Sequence, residues 1–145
     1  MEFVAAIREF WGWTGIDPVE VVGESDFGNL IIEDRQGAYW RLRPEQCVCE
    51  MVARDRAALD LLSRDQEFLR GWYLTDLVKL AKDHFGPLTD GRKYCLKLPA
   101  VLGGGYGAEN LATAPLVEIV SMSGDIARQI QDVPDGAQVC IEVVK

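Results

Sequence analysis

Apolar and polar positions along the chain fall into blocks with different periods. Phe3, Val4, Ile7, Phe10 and Trp11 recur at helical spacing, and Thr14-Gly15 and Asp17-Pro18 close that helix. Short strands follow. Val19–Val22 is one, and Leu30-Ile31-Ile32 reads as a buried one, with Asp26-Phe27-Gly28-Asn29 turning between them. Asp34-Arg35-Gln36-Gly37 reads as a hairpin loop in which glycine supplies positive φ. Ala38–Arg43 alternates until Pro44-Glu45 breaks it. Gln46–Ala53 alternates again, with Cys47, Cys49 and Met51 on one face. These blocks predict an antiparallel meander.

Helical spacing returns in the middle. Arg54–Leu62 carries Ala57, Ala58, Leu61 and Leu62, and Asp65–Tyr73 carries Phe68, Leu69 and Trp72. Thr75 is placed as the N-cap of a third helix with Leu77, Leu80, Ala81 and Phe85 on one face, stopped by Gly86-Pro87. Tyr94–Leu98 reads as a strand ended by Pro99. A glycine loop, 103–107, comes next, and then a short strand at Asn110–Ala112. Thr113 and Pro115 are placed at the start of a long helix whose buried face is Leu116, Ile119, Val120, Ser123, Ile126, Ala127 and Ile130. Asp132–Gly136 turns into a last strand, Val139–Val144. The expected class is α+β: an N-terminal helix, a β-meander, central helices and a C-terminal strand–loop–helix–strand unit.

Charge then narrows the function. Among 145 residues there are 23 acidic and 15 basic side chains, a formal net charge of -8. Nucleic-acid binding needs a basic face to neutralise phosphates, so this balance argues against DNA, RNA and anionic membranes as direct ligands and suits a basic partner. No apolar run reaches the roughly 20 residues that cross a bilayer. Met1-Glu2-Phe3 lacks the basic flank of a signal peptide, so the cytoplasm, with reduced cysteines, is the expected compartment.

Candidate chemistry is sparse. Cys47 and Cys49 could offer two thiols to a metal, but the single histidine, His84, lies far along the chain, and structural zinc wants four ligands. No metal and no cofactor are expected. Two small apolar residues facing the core is the simpler reading of the cysteine pair. His84 could serve as a general base, yet no serine elbow motif accompanies it, and nothing fixes a cysteine beside it. Gly103-Gly104-Gly105-Tyr106-Gly107 lacks the lysine and hydroxyl of a triphosphate loop and the spacing of a dinucleotide fingerprint, and reads as a tight turn. Glu20, Glu24, Asp26, Glu33 and Asp34 gather around the first hairpin, as solvated turns or as a face for a basic partner. Trp11, Trp13, Trp40 and Trp72 read mostly as core anchors; any one exposed beside that hairpin would be a hot-spot candidate.

The C-terminal half carries a resemblance. Tyr94–Pro99, the loop Leu102–Tyr106 with Glu109-Asn110-Leu111, and Gly124–Ile130 leading to Asp132-Val133-Pro134-Asp135-Gly136 are similar to the C-terminal domain of type VI secretion immunity proteins, formerly a domain of unknown function. That family's pattern is a strand, a GG-x-Y-x-x-x-N loop, a helix and a DLPDG turn. Gly103, Gly104, Tyr106, Asn110, Asp135 and Gly136 match it, with Val133 in place of leucine. The front half resembles a domain related to the glutamyl-tRNA amidotransferase accessory domain, through Phe10–Trp13, Gly28-Asn29-Leu30, and Tyr39-Trp40 with Pro44-Glu45. The expected organisation is 1–85 for that region and 86–145 for the immunity-type domain, packed as one unit.

The resemblance implies a non-enzymatic antitoxin that binds and neutralises a cognate secreted effector, a DNase or nucleotide-targeting enzyme with a basic active-site face. Its matching residues identify a fold and leave the interface open. On charge, the expected effector contacts are Glu24, Asp26, Glu33 and Asp34, with Tyr106 and Glu109 on the glycine loop as a second set. The alternatives are a small-ligand or nucleotide-binding regulatory domain without a toxin partner, and an enzyme built on carboxylates or His84.

Overall fold

A computed structural model of the protein describes residues 2–133. Helix α1 (Glu2–Trp11) is followed by a 3-10 turn at Gly12–Thr14. Strands β1 (Pro18–Glu24), β2 (Leu30–Asp34), β3 (Tyr39–Arg43) and β4 (Val48–Ala53) form one antiparallel sheet in chain order. Three helices follow: α2 (Arg56–Leu62), α3 (Gln66–Tyr73) and α4 (Thr75–Phe85). Strands β5 (Arg92–Leu96) and β6 (Leu111–Pro115) pair antiparallel across the glycine loop, and α5 (Leu116–Ile130) lies against α1. This is the expected α+β architecture. The last strand, Val139–Val144, and the turn residues Asp135 and Gly136 lie outside the described residues.

The meander forms where the pattern places it because each turn has its residue. Gly28 and Gly37 sit at φ 72° and 83°, where a Cβ would be strained. Asp34 closes the second turn: its Oδ1 accepts from the Gln36 and Ala38 amides and its Oδ2 from Trp40 Nε1, each at 2.9 Å. Helices α2 and α3 start on Asp55 and Asp65, which accept from the amides three residues on.

Among the described residues three hydrophobic clusters hold the chain together. The largest joins α1, the sheet and α5 through Ile7, Trp11, Leu30, Leu42, Leu116 and Val120. A second gathers Phe27, Ala81, Tyr94, Leu96 and Leu111. A third, Ile31, Tyr39 and Ala53, meets Phe68 and Trp72 of α3 on the other side of the sheet. Trp11 is fully buried and donates to Val120 O at 3.0 Å. Trp13, Trp40 and Trp72 are half-buried, so no tryptophan stands exposed at the acidic hairpin.

Several local expectations change. Thr75 does not cap α4. Leu74 occupies the N-cap position in left-handed geometry, and its amide closes α3 on Arg70 O, so one residue ends one helix and begins the next. Pro115 ends β6 rather than entering α5, and Asn110 belongs to a 3-10 turn before β6. Leu61 and Phe85, placed on buried faces by spacing, are exposed. The alternation from Gln46 fails at its start: Cys47 sits in left-handed geometry (φ 52°) after a 3-10 turn at Pro44–Gln46, and Met51 faces out.

Candidate functional site

The glycine loop takes its shape from one side chain. The Leu98 amide donates to Asn110 Oδ1 at 2.9 Å, while Asn110 Nδ2 donates to Leu98 O (2.9 Å) and Gly105 O (2.8 Å). Asn110 thus mimics a strand partner on one side of the loop and ties the far side down. Gly103 adopts φ 95°. At Gly104 a Cβ would overlap Leu98 O and lie 2.8 Å from Asn110 Nδ2. Tyr106 leaves its ring exposed and accepts from Gln46 Nε2 at 2.7 Å, which pins the loop to the turn after β3. Gly103, Gly104, Tyr106 and Asn110 therefore act together, closing a loop. Glu109 is exposed beside them.

The acidic residues do not behave as one group. Glu24 and Asp26 are exposed at the β1–β2 turn, with Glu24 paired to Lys93 Nζ at 2.9 Å. Asp34 is only 5% exposed, and its carboxylate accepts three hydrogen bonds within its own turn. Glu33 is half-buried and stands directly opposite Glu20 across the β1–β2 ladder. Like charges in that position repel, and among the described residues neither carboxylate has an ion-pair partner. Glu20 belongs to the candidate contacts on this geometry; the sequence placed it among the acidic hairpin residues but not among the contacts.

A buried polar network joins the clusters. Asn29, without exposed surface, donates through Nδ2 to Glu45 Oε1 at 2.5 Å. It accepts at Oδ1 from Arg41 Nη2 at 2.9 Å. Arg41 also donates to Gly71 O at 3.0 Å and lies over the Phe68 and Trp72 rings, 5.0 and 5.6 Å from their centroids. Burial, and then the neighbouring Arg43, lower its pKa to about 10. Burial raises that of Glu45, against the opposing Asn29 hydrogen bond. Sequence reasoning missed this network because Asn, Arg and Glu at such positions read as surface.

Beside Glu45 a cavity of about 220 Å³ opens between α5, β5 and the Pro44–Gln46 turn. Cys95 lines it, and burial pushes that thiol up. Burial pushes the Cys47 and Cys49 thiols up to about 12, leaving them protonated and poorly nucleophilic at neutral pH. Exposed His84 neighbours the Phe85 ring. Among the described residues no group of three His, Cys, Asp or Glu side chains could hold a metal ion, and no helix is long and apolar enough to cross a membrane.

These features define an α+β domain whose sequence motif closes a loop, with an acidic sheet edge and a part-apolar cavity. A family model described as the C-terminal domain of the T6SS immunity protein Tdi1 matches residues 53–127, more than half of the sequence, and the chain belongs to that family. The structure is similar to the crystal structure of Atu4351 from Agrobacterium tumefaciens, with a TM-score of 0.56 and 15% identity, covering 85% of this chain and 62% of that one. At that identity the likeness concerns the fold. This chain spans less than two thirds of that protein's length. No curated protein matches the sequence.

Proposed function

We propose that this protein is the antitoxin of a cognate type VI effector, a DNase or nucleotide-targeting enzyme, and neutralises it in the cytoplasm by direct contact, without catalysis. The observation that carries the choice of surface is the Glu20–Glu33 pair at the β1 edge. Two facing carboxylates without a counter-ion raise the energy of the free protein, and a basic partner surface relieves that repulsion on binding. Exposed Glu24 and Asp26 extend the same edge. Enzymes that handle phosphates carry basic clefts, and a net charge of -8 complements them. Tyr106 and Glu109 supply an aromatic and an acidic contact on the loop. The effector would meet an acidic rim around a less polar centre, as specific interfaces of standard size do.

The small-ligand alternative gains no support from the glycine loop, whose backbone turns inward onto Asn110. The test is capture of the tagged protein from the lysate of its own strain while effector genes are expressed. Recovery of one secreted-type protein in equimolar amount, whose toxicity the pure antitoxin suppresses, is the expected result. If nothing co-purifies under those conditions, the antitoxin reading falls.

A further inference from the structure

The cavity beside Glu45 lies at the seam between two hydrophobic clusters. Phe27 and Leu96 come from one and Ile126 from the other, with Ile119 of α5 between them. Most of this wall is apolar. The most buried of its charged lining residues is Glu45, a carboxyl group 4% exposed. Among the described residues the side-chain donor that reaches it is the Asn29 amide, and the Glu45 backbone N–H adds a further hydrogen bond. Among the described residues no lysine or arginine lies within ion-pair distance of it. A carboxylate has about four acceptor sites, so Glu45 keeps capacity for another donor. Glu118, on the first turn of α5, adds a second carboxylate to the lining, against the single ammonium of Lys97.

We propose that this cavity receives an arginine side chain of the effector, its stem along Phe27, Leu96, Ile119 and Ile126 and its guanidinium turned to Glu45, with Glu118 on the same path. The inference rests on the antitoxin reading and names a contact within it. Size permits the guest: a cavity on the order of 150 Å³ already holds a benzene-sized molecule, and this one is about 220 Å³. Arginine suits the site better than lysine, because its planar fork meets a carboxylate with two parallel hydrogen bonds and tolerates desolvation. A protein partner suits it better than a free small molecule because of what flanks it. Leu98, Val101 and Met122 are exposed large apolar side chains. They sit on or next to the lining segments, and Tyr106 is held to Gln46, the neighbour of Glu45. A free ligand would leave that surface in water, whereas a partner covers it and gains from it, as in an interface hot spot with its dry surround.

The experiment has two arms. In the first, the methyl resonances of Leu96, Ile119 and Ile126 are followed while the full chain is titrated with N-acetyl-L-arginine methylamide, and separately with its neutral citrulline counterpart. Saturable shifts with the arginine compound, at least fivefold weaker with the citrulline compound and abolished in Glu45→Gln, are expected. Equal response to both compounds, or none at these methyls, overturns the proposal. In the second, binding of the captured effector is compared between wild type, Glu45→Gln and Met122→Arg. The exposed Met122 position keeps the fold intact and sets a cation at the mouth. Loss of tenfold or more in affinity for both variants, with thermal midpoint retained in Met122→Arg, is expected. If the wild type binds the effector and both variants bind equally well, the cavity contact is refuted while the antitoxin reading stands. If the wild type binds no effector, both fall.

Discussion

Asn110 holds Leu98 by both of its backbone groups, accepting from the amide and donating to the carbonyl, each at 2.9 Å. Through one side chain a loop between two strands acquires the hydrogen bonding of a further strand residue. Asn110→Ala removes these bonds and the one to Gly105 O. At about 0.5–1.5 kcal/mol net per bond, less what water restores, the expected loss is about 2 kcal/mol. Urea unfolding checks it: the midpoint falls and the slope is unchanged. A variant as stable as wild type would show that the clamp does not hold the loop.

Gly104 and Gly105 are neighbours with opposite tolerance. A Cβ at Gly104 would run into the Leu98 carbonyl, which is backbone and cannot swing aside. At Gly105 the nearest atom is Gly107 N, 4.0 Å away. Gly104→Ala is expected to destabilise by at least about 2 kcal/mol, while Gly105→Ala stays within about 0.5 kcal/mol. Thermal melts of the two variants side by side decide this, and equal effects would contradict it.

Gly124 lies inside α5, where alanine would ordinarily gain about 1 kcal/mol of helix propensity. A Cβ there would stand 2.6 Å from Phe10 O and 2.9 Å from Phe10 Cβ. The close approach of α1 and α5 requires the glycine. Gly124→Ala is therefore expected to cost about 1–3 kcal/mol through overpacking despite the better propensity. Stabilisation by this change would mean the helices have room to part.

Glu45 gives stability a pH dependence with a definite sign. Burial raises its native pKa above the ordinary value of 4.5. Over that interval the folded chain holds a proton that the unfolded chain has lost, so the group's contribution is complete below the ordinary value and is lost as pH rises through the native one. As pH rises above 4.5 the wild type should lose stability relative to Glu45→Gln. Parallel urea-midpoint curves for the two proteins would refute the assignment.

Glu20→Lys separates stability from function at the β1 edge. It turns a repulsive cross-strand pair with Glu33 into an attractive one, worth about 0.5 kcal/mol of added stability. The same change is expected to weaken effector binding and flatten its salt dependence. A gain in stability with unchanged affinity would move the interface elsewhere.

The sequence made the meander legible because its alternation and its turn glycines agree: Gly37 stands where the β2–β3 turn needs positive φ. Helix α5 was equally plain, and Leu116, Ile119, Val120, Ser123, Ile126 and Ala127 are all buried. Boundaries were less so. Pro115 suits the first turn of a helix and the end of an edge strand alike, and only pairing with Arg92 places it in β6. Leu74 adopts a left-handed geometry that no propensity assigns to leucine. The site was legible only in part. Charge singled out Glu24, Asp26 and Glu33, which stay proposed contacts, whereas Asp34 serves its own turn, and buried Glu45 is reached by Asn29, itself held by Arg41, residues whose polarity reads as surface.

On the antitoxin proposal, this protein silences an effector by stoichiometric contact. The direct measurement is the activity of the purified effector against increasing molar ratios of this protein. A linear fall to complete inhibition at one equivalent is expected, with the inhibited species recovered as a one-to-one complex. Full effector activity at saturating excess of the protein would contradict it.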